Sequence, residues 1–157
     1  MDLSFVARLP ISEKPATLFV ALELSKATWL VALHSPAADK ISLHRLVGGD
    51  TEGLLSLIAR KRDQAQASLA RPVHVMSCYE AGYDGFWLHR LLCASGIDNR
   101  VLDAASILVD RRSRRARASD WKSDSRGFGL VRSVIHCLER EVDHGSLLFG
   151  RPSGAGG

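Results

Sequence analysis

Apolar and polar positions alternate along the chain in blocks that change period. Residues 17 to 24 (Thr-Leu-Phe-Val-Ala-Leu-Glu-Leu) and 28 to 34 (Thr-Trp-Leu-Val-Ala-Leu-His) are apolar and β-prone, and the three residues Ser25-Lys26-Ala27 between them have hairpin length. Residues 40 to 47 alternate polar and apolar as a half-exposed third strand does. An opening meander of three antiparallel strands is the result. Asp50-Thr51-Glu52-Gly53 then supplies N-cap candidates for a helix near 51 to 69, with Leu54, Leu55, Leu57, Ile58 and Ala59 on its apolar side. Pro72 closes that segment and opens a strand from Val73 to Cys78. Tyr83 to Ala94 has helical spacing that predicts Phe86, Trp87, Leu91 and Leu92 on a buried side and Gly96 as a C-cap. A short strand at 98 to 102 and helices over about 104 to 117 and 121 to 141 complete the pattern.

This order of elements predicts an α/β domain with a ribonuclease-H-like (RuvC-like) mixed sheet, three antiparallel strands followed by alternating helices and strands. Residues 17–141 form that domain. Residues 1–16 precede it as an N-terminal extension, and residues 142–157 follow as a Gly-rich tail without periodicity, expected to be disordered.

Composition narrows the class. With 157 residues, of which 46% are hydrophobic, the chain has enough material for one globular core. It contains no apolar run of the roughly 20 residues that a membrane span requires and no signal-peptide pattern, so a cytoplasmic location without membrane contact is expected. Cys78, Cys93 and Cys137 are odd in number, widely spaced and set in apolar stretches, which points to buried thiols in a reducing compartment. His74 and Cys78 are four residues apart in a strand, where alternation alone places them on one face, so the spacing is poor evidence for a metal site.

Charge is distributed unevenly. Residues 110 to 126 hold seven of the 21 basic and three of the 17 acidic residues, and the rest of the chain balances, so the net +4 resides in this one segment. Arg111, Arg112, Arg114, Arg115 and Arg117 form its centre. Arginine is suited to bidentate phosphate contacts, so these five are candidate nucleic-acid-binding residues. Asp120 and Asp124 follow at helical spacing. Glu23 is the one charged residue in an otherwise apolar strand, and Glu80 follows a second buried strand. A carboxylate in such a strand requires exposure at the strand end or a counter-ion. Each acid taken alone also reads as a surface or capping group. Placed together at three sheet-end positions, they suit the converging carboxylates of two-metal phosphoryl transfer. Trp121, beside the aspartates in a polar stretch, is the aromatic candidate for nucleic-acid contact.

Three phrases, Val-Ala-Leu-Glu-Leu-Ser-Lys-Ala-Thr, Tyr-Glu-Ala-Gly-Tyr-Asp-Gly-Phe-Trp-Leu-His-Arg-Leu-Leu and Val-Leu-Asp-Ala-Ala-Ser-Ile-Leu-Val-Asp-Arg-Arg-Ser-Arg-Arg-Ala-Arg, resemble the N-terminal domain of DEDD transposases. These are bacterial insertion-sequence enzymes of the one-ten type, related to Piv-like invertases and similar in fold to the RuvC Holliday-junction resolvase. The resemblance covers roughly residues 17 to 141. It implies that Glu23, Glu80, Asp120 and Asp124 are catalytic acids that bind magnesium, with DNA as partner and DNA transposition as the process. It further implies a homo-oligomeric parent enzyme with a serine-bearing second domain and a guiding RNA.

Two departures stand out. Position 23 carries Glu where the family has Asp, and the closing pair, Asp-Trp-Lys-Ser-Asp, is one residue longer than the family pattern. An extra residue also precedes that pair, and the Gly-rich end does not match the family. Such small insertions lead to the expectation of an incomplete, frameshifted transposase copy. Two alternatives belong to other classes. A sugar-kinase or actin-like ATPase would need glycine beside the strand acid, where this chain has Leu24-Ser25-Lys26. A non-catalytic basic nucleic-acid-binding domain would need only the arginines.

Overall fold

The computed structural model describes residues 16 to 82, 86 to 102, and 134 to 136, 138, 139 and 142. They build an α/β domain with a five-stranded mixed sheet in the order β3-β2-β1-β4-β5, consistent with the ribonuclease-H-like expectation. The strands are β1 (Ala16–Leu24), β2 (Thr28–His34), β3 (Ser42–Val47), β4 (Val73–Glu80) and β5 (Asp98–Leu102), and the helices are α1 (Thr51–Leu69) and α2 (Trp87–Ala94). β1 pairs antiparallel with β2, as β2 does with β3, whereas β1 pairs parallel with β4, and β4 with β5. The parallel pairs follow from α1 and α2, each of which carries the chain back across the sheet before the next strand begins.

The two sheet faces carry different cores. On one, Leu18, Val20 and Leu22 of β1 and Trp29, Val31 and Leu33 of β2 meet Leu54, Leu57 and Ile58 of α1 and Leu88 and Leu92 of α2. On the other, Ala21, Ala32, Cys78 and Leu102 meet Val134, Ile135 and Leu138, which belong to a late helical stretch. Both faces are thus covered, and the central strand β1 reads as a nearly continuous apolar run.

Local chemistry sets the ends of the elements. Ser25 closes the first hairpin: its Oγ accepts from the Thr28 amide at 3.0 Å and donates to the Thr28 carbonyl at 2.6 Å. Gly48 passes so close to this turn that a Cβ there would stand 2.2 Å from the Lys26 carbonyl oxygen. Asp50 caps α1 by accepting from the Gly53 amide at 2.8 Å. Ala70 ends α1 in the left-handed region, with φ 51°. α2 ends in a Schellman arrangement: Gly96, at φ 79°, donates to the Cys93 carbonyl, and Ile97 donates to that of Leu92. Gly96 therefore fills the role that its position predicts.

Three expectations need correction. Phe86 and Trp87 are not core residues but 61% and 39% exposed. α2 begins only at Trp87, so both aromatics sit at its start, and the helix buries Leu88 and Leu92 instead. Cys93 is exposed while Cys78 is buried, because Cys93 lies about 100° around the helix from Leu92. Residues 1–15, Cys137, the helix expected at 104 to 117 and the tail expected at 142–157, apart from Val142, lie outside the described residues.

Candidate active site at the carboxyl ends of β1 and β4

Glu23 is the penultimate residue of β1 and Glu80 the last of β4, and both side chains are exposed. Parallel pairing of the two strands runs from Ala16 with Val73 to Leu22 with Tyr79. One further step brings Glu23 beside Glu80, on strands about 4.8 Å apart. Residues in parallel register point to the same face, so both acids share the side that carries Ala21 and Cys78. Glu23 is also paired with Leu30, and Glu80 with Leu102. The row Leu30, Glu23, Glu80, Leu102 thus crosses the sheet with the two acidic positions at its centre.

Two like charges at this separation repel by only about 1 kcal/mol in a water-like dielectric, so the fold tolerates the pair without a bound cation. Both acids supply hard carboxylate oxygens, the donor chemistry that magnesium selects. Among the described residues no group of three or more His, Cys, Asp and Glu side chains is arranged to hold a metal ion. Asp120, Asp124, Trp121 and the arginines at 111, 112, 114, 115 and 117 lie outside the described residues. Val134, ten residues after Asp124, packs on the face that presents Glu23 and Glu80.

Other polar clusters hold the frame. At the opposite end of β1, where His34 pairs with Phe19, the Glu139 carboxylate meets Nδ1 of His34 through one oxygen and Nδ1 of His136, at 3.1 Å, through the other. This ties the late helical stretch to β2. Between β4, β5 and α2, the buried Ser77 hydroxyl donates to Asn99 Oδ1 at 2.7 Å, and Asn99 Nδ2 lies 3.0 Å from His89 Nδ1. The His89 amide donates to the Tyr79 hydroxyl at 3.1 Å. The two contacts of His89 seat α2 against the sheet, and the Ser77 to Asn99 bond joins β4 to β5. His74, on the face of Cys78, lies 3.9 Å from Asp98.

The fold and these acids define an α/β domain with paired carboxylates at adjacent strand ends. Over 119 residues, 75% of the chain, it is 41% identical to "Putative transposase y4rJ" of Sinorhizobium fredii (strain NBRC 101917 / NGR234), so the chain is transposase-like in sequence. The aligned part amounts to 29% of that protein's length. No protein-family model matches the chain. Among the described residues no helix is long and apolar enough to cross a membrane.

Proposed function

We propose that this chain is the acid-bearing N-terminal domain of an insertion-sequence transposase of the DEDD type, built on a ribonuclease-H-like fold and acting on DNA strands during transposition. The observation that carries the reading is the parallel register of β1 and β4, which runs to Leu22 with Tyr79 and so leaves the exposed Glu23 and Glu80 as the next residues of the two strands, at their carboxyl ends. The similarity to a transposase supplies the substrate class, DNA. The late helical stretch on the same face supports a contribution from Asp120 and Asp124, which precede it in the chain. Glu23 and Glu80, with Asp120 and Asp124, would hold magnesium. When bound, the metal supplies Lewis-acid polarisation of a phosphoryl oxygen. The residues' own part is to present oxygen donors from rigid strand ends, where the β1 to β4 register fixes their separation.

The parent enzyme's guiding RNA and oligomeric assembly belong to the same proposal, as do the phosphate contacts of the five arginines. The test is processing of supercoiled plasmid and of a synthetic four-way DNA junction, with magnesium and with a chelator. Magnesium-dependent processing that is lost in Glu80→Ala and in Glu23→Gln, with DNA binding retained, is the expected result. Processing that is unchanged in Glu80→Ala overturns the assignment.

A further inference from the structure

At the carboxyl ends of β1 and β4 the sheet presents a second feature on the face opposite the acids. Trp29, buried at the start of β2, lies opposite Leu24 in the antiparallel register, so it marks the same end of the sheet as Glu23. Trp87 rests on it with ring centroids 6.3 Å apart and an interplanar angle of 35°. Phe86, directly before α2, is the most exposed aromatic among the described residues. Its backbone carbonyl accepts from the Arg90 amide at 3.1 Å, which places exposed Arg90 one helical turn further along the same side. Trp87 covers the buried Trp29, whereas the core beneath α2 is closed by Leu88 and Leu92 without Phe86.

We propose that Phe86 and Trp87, with Arg90, form a stacking seat for an unpaired base of a DNA strand whose backbone runs past Glu23 and Glu80. The ligand class rests on the transposase reading above; the seat itself rests on the geometry. Base stacking on aromatic rings is tolerant of sequence because every base has a π-face, and a guanidinium beside the rings adds phosphate and cation–π contacts. Trp29 holds Trp87 in place, so the indole is pre-oriented and little freedom is lost when a base stacks. Among the described residues no aromatic ring packs on Phe86, and a base laid against it would cover its exposed ring. An unpaired base suits the site because a ring inside an intact duplex offers no free face.

The test uses the full chain in chelator, so that no strand is processed, and measures affinity for a labelled single strand and for the matching duplex. Phe86→Ala should lower single-strand affinity roughly tenfold while leaving duplex affinity unchanged, and Phe86→Tyr should restore it. Tryptophan emission should be quenched by the single strand in the parent chain and much less so in Trp87→Phe. Unchanged single-strand affinity in Phe86→Ala overturns the seat. So does an equal loss on single strand and duplex, or a changed sedimentation coefficient that marks the patch as a protein contact. Magnesium-dependent processing lost in Glu80→Ala beside binding indifferent to Phe86 removes the seat alone. Binding that depends on Phe86 beside processing indifferent to Glu80 removes the catalytic reading alone.

Discussion

His44 shows how one side chain couples burial to pH. It lies on β3 opposite Val31, on the α1 side of the sheet, and among the described residues its buried Nε2 has no hydrogen-bond partner. Burial lowers its pKa from the ordinary 6.5, and Lys61 and Arg60 of α1 push in the same direction. The folded state therefore binds a proton less readily than the unfolded chain. Its contribution to stability is complete above about pH 6.5 and declines as the pH falls toward the depressed folded-state value. His44→Leu should flatten this acid limb: urea unfolding at pH 7.5 and 5.0 is expected to show a smaller loss in the variant than in the parent. The carboxylates differ in kind. The alternation in β1 and β4 makes Glu23 and Glu80 recognisable as misfits in apolar strands, but their adjacency depends on pairing across 57 residues of chain, which no local pattern encodes.

The elements themselves are largely legible. The bounds of α1 and β5 coincide with those expected, β1 begins one residue earlier, and β4 continues two residues further to include Glu80. Caps and period-two alternation act within a few residues, so a sequence displays them directly. α2 is the exception, because its aromatic residues satisfy a helical spacing at a position that proves to be the helix start. Periodicity registers which side of a helix is apolar and is blind to how far that side remains covered. Ala70 stores strain at the end of α1 that a sequence does not reveal: its φ of 51° is unfavourable for a residue with a Cβ. Ala70→Gly should raise stability by about 0.5–1 kcal/mol, the relief of the left-handed conformation partly offset by the looser unfolded chain. A chemical denaturation midpoint that fails to rise would contradict this.

At the scale of the molecule, the proposed DNA contact combines the acid end of the sheet with the basic segment at 110 to 126. Arg111, Arg112, Arg114, Arg115 and Arg117 carry the charge that a phosphate backbone neutralises, with release of counterions. Replacing all five by Gln should reduce the log–log salt slope of duplex binding by about 4 to 5. A slope that survives the replacement assigns the phosphate contacts elsewhere. The sequence by itself determined the succession of strands and helices, the local excess of charge and the residue types fit for metal and phosphate, since these depend on composition and on neighbours a few positions apart. Folding added what depends on distant partners: the strand order, the register that sets Glu23 beside Glu80, and the exposure of Phe86 and Trp87. Those properties arise when separate segments compete for the same buried surface, and the outcome is settled by packing across the whole sheet.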